Sequence, residues 1–126
     1  MELQFAVTCD HALIDGNNKL SIIGIFDKIF AKQLPTTHPS FFFVAIIQAH
    51  RSEIGNHEIK INFVDQDGKE VIPTINQTTK IEKDKLRNNI MANFNNMKFL
   101  TPGTYSFDIV ADNKHIGSVP LILQKI

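Results

Sequence analysis

The first candidates for chemistry are acidic and histidine side chains close together near the start of the chain. Asp10 and His11 are adjacent and Asp15 follows; a carboxylate can orient an imidazole, and both groups can bind a divalent cation. A strand that runs into a turn explains the same residues, because an Asp side chain commonly caps a turn, and we favour that interpretation. A hydrolase built on Asp10, His11 and Asp27 is kept as a third functional hypothesis.

No other constellation predicts an enzyme. Cys9 and His11 would share one face of a strand, but a catalytic pair also needs an orienting group and an oxyanion hole. A lone cysteine in a strand is typically a small buried apolar residue. The sequence contains no Gly-x-Ser-x-Gly, no glycine-rich phosphate loop and no His-x-x-x-His. We therefore predict a protein that is not an enzyme and that requires no metal or cofactor.

Two polar residues are candidates for binding. Asp27 lies in a stretch that is apolar on both faces, so its carboxylate is expected to be buried and to accept backbone hydrogen bonds at a bulge. His38 lies between Thr37 and Pro39 in a predicted loop and is expected to tie that loop to a sheet by a side-chain hydrogen bond, with contact to a ligand as the alternative.

The run Phe41-Phe42-Phe43 supplies the best functional lead. Successive side chains of a strand point to opposite faces, so at least one of these rings leaves the principal core. Either the segment Leu34–Ser40 covers that ring, or the ring belongs to an exposed apolar patch that meets a partner or a second copy. Phe41 and Phe43 are therefore candidate binding residues.

Period-two alternation bounded by turn residues predicts about eight short strands. Lys19–Phe30 is too long for one flat strand and is expected to bend and serve two sheets. Leu34–Ser40, with two prolines, is predicted to be a crossing loop, because proline is excluded from central strands. Lys69–Ile75 is predicted to be a short edge strand. Asn76–Asn89 is predicted to be an exposed loop, in which the charged residues are solvated or contact a small anion.

These elements predict an all-β fold, a two-sheet immunoglobulin-like β-sandwich of about seven to nine strands in a single domain, residues 1–126. A closed barrel is the alternative. The 13 basic and 13 acidic residues leave a formal net charge of zero, which argues against a dedicated nucleic-acid binder. The longest apolar run, Phe41–Ile47, is too short to cross a membrane. A single cysteine and the lack of a secretory pattern at the start predict a cytoplasmic protein.

Residues at both ends of the chain resemble a family of short bacterial single-domain proteins of unknown function. The resemblance rests on Phe5-Ala6-Val7, Asp10, Lys19-Leu20, the run Ile23-Gly24-Ile25-Phe26-Asp27-Lys28-Ile29-Phe30-Ala31, His38-Pro39, and the closing segments Pro102–Phe107 and Val119–Leu121. It implies a stand-alone β-sandwich of bacterial or phage origin, and it implies no catalytic residue.

The leading hypothesis is therefore a non-enzymatic binding module that contacts a protein partner or itself. The alternative is a binder of a small molecule or nucleotide, with a pocket lined by loops at one end of the sandwich, Leu34–Ser40 and Gln77–Asn89 among them.

Overall fold

The computed structural model describes residues 1–126 and consists almost entirely of β-strands. The strands are β1 (Glu2–Ile14), β2 (Leu20–Phe26), β3 (Lys28–Ala31), β4 (Thr36–Gln48), β5 (Gly55–Val64), β6 (Ile75–Ile81), β7 (Arg87–Phe99), β8 (Gly103–Ala111) and β9 (Lys114–Lys125). One turn of 3-10 helix spans Arg51–Glu53. No helix has the length and apolar character needed to cross a membrane.

The nine strands form two sheets that pack face to face. The four-stranded sheet has the order β2-β1-β4-β7 and the five-stranded sheet the order β3-β9-β8-β5-β6. All neighbours are antiparallel except β3 and β9. The predicted all-β, two-sheet sandwich is therefore confirmed.

Aromatic rings from both sheets meet in the core. On β4 and β8, alternate residues point inward, as the period of a strand requires, and bring Phe43 and Phe107 into stacked contact at 4.9 Å between ring centroids. Phe107 also stacks on Phe63 at 4.2 Å and lies against Phe94 at 5.4 Å. Phe107 is thus the centre of a layer of rings that joins the two sheets.

The bent strand predicted for Lys19–Phe30 is present. β2 pairs with β1 in the four-stranded sheet, and after Asp27 the chain continues as β3, which pairs with β9 in the five-stranded sheet. Since β2 and β3 are each the last strand of their sheet and only one residue separates them, a single segment forms one side of the sandwich. We call Leu20–Ala31 the lateral edge.

The crossing loop predicted for Leu34–Ser40 is wrong beyond Pro35, because β4 begins at Thr36 and includes Pro39. β1 pairs with β4 only over Phe42–Gln48, whereas β7 pairs with it along nearly its whole length. The first part of β4 therefore has a neighbour on one side only. Proline, which lacks an amide hydrogen, is tolerated at such an edge position.

The predictions for residues 69–89 are also wrong. The predicted strand Lys69–Ile75 forms only an isolated bridge at Glu70, and the predicted loop contains β6 and the start of β7. Two of the residues on the inward side of β6, Gln77 and Thr79, are polar. The sequence of β6 therefore lacks the alternation of apolar and polar residues that predicts a strand. Gln77 Nε2 donates a hydrogen bond to the Met91 carbonyl at 3.2 Å, which satisfies the amide where it is partly buried.

The β1–β2 hairpin covers the outer face of the four-stranded sheet. Phe42 and Val44 point away from the main core and form a second buried cluster with Cys9 and Ala12, against which Leu20, Ile22, Val7 and Met91 pack. In a regular strand Cys9 and Ala12, three residues apart, would face opposite sides; the hairpin twists between them, near Gly24, whose φ is +71°. The ring that leaves the core is thus covered by the hairpin, and neither by Leu34–Ser40 nor by a partner.

Candidate interaction surface

The lateral edge exposes large apolar side chains. Ile23 and Ile25 on β2 are each 60% exposed, and Phe30 on β3 is 57% exposed. Isolated exposed apolar residues are common on protein surfaces, but here three lie on one segment that borders both sheets. Apolar patches of this kind mark sites of contact with other molecules.

The backbone of β2 is open on the side away from β1. β2 has no second neighbour in its sheet, so the N–H and C=O groups on its outer side have no strand to bond. Natural edge strands are usually protected by charged residues, prolines or bulges. Leu20–Phe26 contains no charged residue and no proline, and its one irregularity is Gly24. This strand is therefore suited to pairing with a further strand.

An open groove lies between the tip of the hairpin and the outer face of the four-stranded sheet. Its volume is about 1100 Å³, and its walls include Phe5, Leu20 and Ile46 together with the cationic Lys19 and Arg87. Glu2 also lines the groove, so two cations and one carboxylate leave a net positive charge beside the apolar groups, which suits a small amphipathic anion.

An ion pair between His57 and Asp112 joins three elements at one end of the sandwich. His57 Nδ1 contacts the Asp112 carboxylate, and His57 Nε2 lies 2.5 Å from the Glu53 carbonyl oxygen. Because both neighbours accept hydrogen bonds, the ring donates from both nitrogens as an imidazolium. Glu58 N–H donates to Asp112 Oδ1 at 3.0 Å. The pair therefore fastens β5 to the 3-10 helix and to the β8–β9 turn.

These hydrogen bonds shift both pKa values. The bond to Asp112, and after it the bond to the Glu53 carbonyl, raises the pKa of His57, while the bond from His57 lowers the pKa of Asp112. The pair acts as a structural tie because it joins three elements, and Glu58 and Thr78 lie beside it. The sequence gives no local signal for it, because the partners are 55 residues apart.

Stability should therefore depend on the protonation of His57. The folded state holds this proton more tightly than the unfolded chain, so the contribution is fully present below the unfolded pKa of about 6.5 and is lost as pH rises through the higher folded value. We expect the free energy of unfolding, measured by urea denaturation, to fall as pH rises from about 6.5 through the raised folded pKa of His57. His57→Gln should flatten this fall. His115→Gln, which changes an exposed histidine 3.9 Å from Asp108, should leave it in place; equal flattening in both variants would contradict the assignment.

The four binding candidates occupy different environments. Phe41 and Phe43 are completely buried in the main core, so neither ring is accessible to a partner in the folded chain. His38 is half-buried, with its ring against Phe26 and Phe41 at centroid distances of 5.9 and 5.6 Å; burial lowers its pKa, and the Asp10 carboxylate opposes that shift. Asp27 is exposed, and the expectation of a buried carboxylate is wrong because the residue lies between the sheets' edges rather than inside either sheet.

The residues near Asp10 are not arranged as a metal site. No group of three or more His, Cys, Asp or Glu side chains is arranged to hold a metal ion. The Asp10 carboxylate instead fills the space beside Gly24, where a Cβ would clash with Asp10 Oδ2. His11 packs edge-on against Phe42 at 5.1 Å. Cys9 is fully buried, and burial, followed by the nearby Asp10 charge, raises the pKa of its thiol, which disfavours the reactive thiolate.

The fold and the surface together define a β-sandwich domain of nine strands with one open, apolar lateral edge. The chain belongs to the Family of unknown function (DUF6941), whose match covers residues 4–124. The predicted likeness to a family without an assigned activity is thereby confirmed at the level of the family. A comparison with curated proteins finds no match to this sequence.

Proposed function

We propose that this domain is a non-enzymatic interaction module that contacts a protein partner or a second copy through its lateral edge. The observation that carries the proposal is the exposure of Ile23, Ile25 and Phe30 on a segment whose strand β2 has an open backbone side. Strand addition to such an edge supplies main-chain hydrogen bonds, and the exposed side chains supply specificity. The neutral net charge supports a protein partner over a nucleic acid.

Site-specific photo-crosslinking tests this proposal. A photoreactive residue at Ile25 should give a discrete cross-linked species in the host cell. The same residue at Lys80, an exposed position on β6 at the other edge of the five-stranded sheet, is the matched control and should give none. Equal cross-linking at both positions, or none at either, would refute the proposal.

A small-molecule binder is the second candidate, and the groove beside the hairpin favours it. The predicted pocket between terminal loops is replaced here by a groove with Lys19 and Arg87 on its walls. Native mass spectrometry of protein purified gently from its host should then show an added small-molecule mass that disappears on denaturation. Arg87→Glu should abolish that mass if an anion is bound, while Arg51→Glu, outside the groove, should retain it.

We also propose that the sandwich is immunoglobulin-like, that the protein is cytoplasmic and that its source is bacterial. The order β9-β8-β5 in one sheet and β1-β4-β7 in the other is that of the G-F-C and A-B-E strands of an immunoglobulin-like sandwich, with β2 as an added strand, which supports this class. Tyr105 at the start of β8 donates to the Thr101 carbonyl at 2.6 Å, as the tyrosine corner of such domains does. A single cysteine supports a cytoplasmic location, and the resemblance noted above supports a bacterial source.

A further inference from the structure

We infer that the partner of the lateral edge is a second copy of this chain, paired antiparallel to β2 about a twofold axis at Ile23. This inference rests on the proposed function and names its partner. It follows from the position of charges around an uncharged strand.

Lys19 and Asp27 are the charged residues that flank Leu20–Phe26, and each lies four residues from Ile23. In an antiparallel pair centred on Ile23, Lys19 of each copy is opposite Asp27 of the other. Both side chains are exposed and free to meet. Two ion pairs would therefore form, one at each end of the ladder. The twofold axis relates them, as it relates all contacts between different residues in an isologous interface.

Neighbouring registers do not give this match. The neighbouring symmetric registers, with the axis at Ile22 or Gly24, place Lys19 opposite Ile25 or Ile29 of the second copy. Neither of these registers sets Lys19 opposite an acidic residue, so neither forms the two ion pairs. The charges thus select a single register.

The same register joins the exposed isoleucines. Ile23 of one copy lies opposite Ile23 of the other, and each Ile25 lies opposite Ser21 of the second copy. These residues are on one face, because residues two apart on a strand share a face. Pairing would remove part of the 60% exposed surface of both isoleucines from water, which favours association.

The short ladder predicts a reversible dimer. β2 has seven residues, and the positive φ of Gly24 interrupts regular hydrogen bonding next to the axis. A ladder this short buries little surface, and interfaces smaller than roughly 1,200 Å² are typically weak or transient. We therefore expect a dimer that forms and dissociates with protein concentration.

Sedimentation velocity over a concentration series tests the inference. The full chain should pass from monomer to dimer as concentration rises. Ile23→Lys places two lysines together at the axis and should weaken dimerisation at least about tenfold. Ile54→Lys is the matched control, since it makes the same change at an isoleucine that is 51% exposed and lies outside the lateral edge, and it should dimerise as the unaltered chain does.

Charge reversal tests the register. Lys19→Asp alone, or Asp27→Lys alone, creates like-charge pairs and should weaken the dimer about tenfold, as two exposed pairs changed from attraction to repulsion would. The double variant Lys19→Asp/Asp27→Lys should restore dimerisation. Mixing the two single variants should also restore it as a heterodimer, because each Asp of one then faces a Lys of the other.

A chain that stays monomeric at every attainable concentration, or a dimer indifferent to charge reversal, would overturn the inference. Photo-crosslinking at Ile25 separates this failure from that of the proposed function. A monomer whose Ile25 position cross-links to a different protein would leave the interaction module standing and refute only self-pairing. A monomer without any cross-link would refute both.

Discussion

Phe107→Ala is expected to lower the free energy of unfolding by about 3–5 kcal/mol, the range for removal of a buried phenylalanine ring. Phe107 is completely buried and its ring meets Phe43, Phe63 and Phe94. It also meets Phe41, at 6.2 Å between ring centroids, so truncation would leave a cavity between the two sheets and remove four ring contacts at once. Since a domain of this kind has about 5–15 kcal/mol of stability in total, much of the folded population could be lost at elevated temperature.

Urea denaturation followed by circular dichroism measures this loss, and two variants serve as controls. Phe107→Leu keeps most of the buried volume and should cost less, about 1.5 kcal/mol. Phe30→Ala makes the same chemical change at a ring that is 57% exposed and should stay within about 0.5 kcal/mol of the unaltered chain. A similar cost at Phe107 and Phe30 would mean that the aromatic layer does not hold the sheets together.

The sequence predicts most of the fold because the needed signals are local. The bend in Lys19–Phe30 is predictable because this apolar stretch is too long for one flat strand. The ends of most strands are predictable because turn residues mark them. β6 escapes prediction because Gln77 faces inward and is satisfied by Met91, a residue of another strand. Pro39 wrongly indicates a loop. A proline is tolerated at this position of β4 because the pairing of β1 with β4 extends only as far as Phe42, and the sequence does not show where that pairing ends.

The interaction surface is less predictable than the fold for the same reason. Ile23 and Ile25 are of a residue type that is typical of buried strands. They are exposed because β2 is the last strand of its sheet. Phe41 and Phe43 have the same composition and are buried because β4 lies between β1 and β7. Apolar character alone does not distinguish a core strand from an open edge; the neighbours of the strand do.

The attachment of the β1–β2 hairpin depends on Phe42, and Phe42→Ala should release it. The ring is buried against Cys9 and Ala12, so truncation is expected to cost about 3 kcal/mol. Because the hairpin pairs with the rest of the sheet only through the first part of β1, the loss should be local. Hydrogen exchange should accelerate at the amides of residues 12–23 and remain slow in β5 and β8.

Phe43→Ala is the matched control for Phe42→Ala, since it makes the same truncation one residue away on the opposite face of β4. Phe43 lies in the main core, so its loss should accelerate exchange in both sheets. If both variants gave the same exchange pattern, the hairpin would not be a separate unit. A hairpin released in Phe42→Ala would also carry β2 out of position, and the dimer inferred at Ile23 should then weaken although no residue of its ladder has changed. The buried cluster of Cys9, Ala12, Phe42 and Val44 would then contribute both to stability and to dimerisation, because it holds β2 in the position in which the second copy pairs with it.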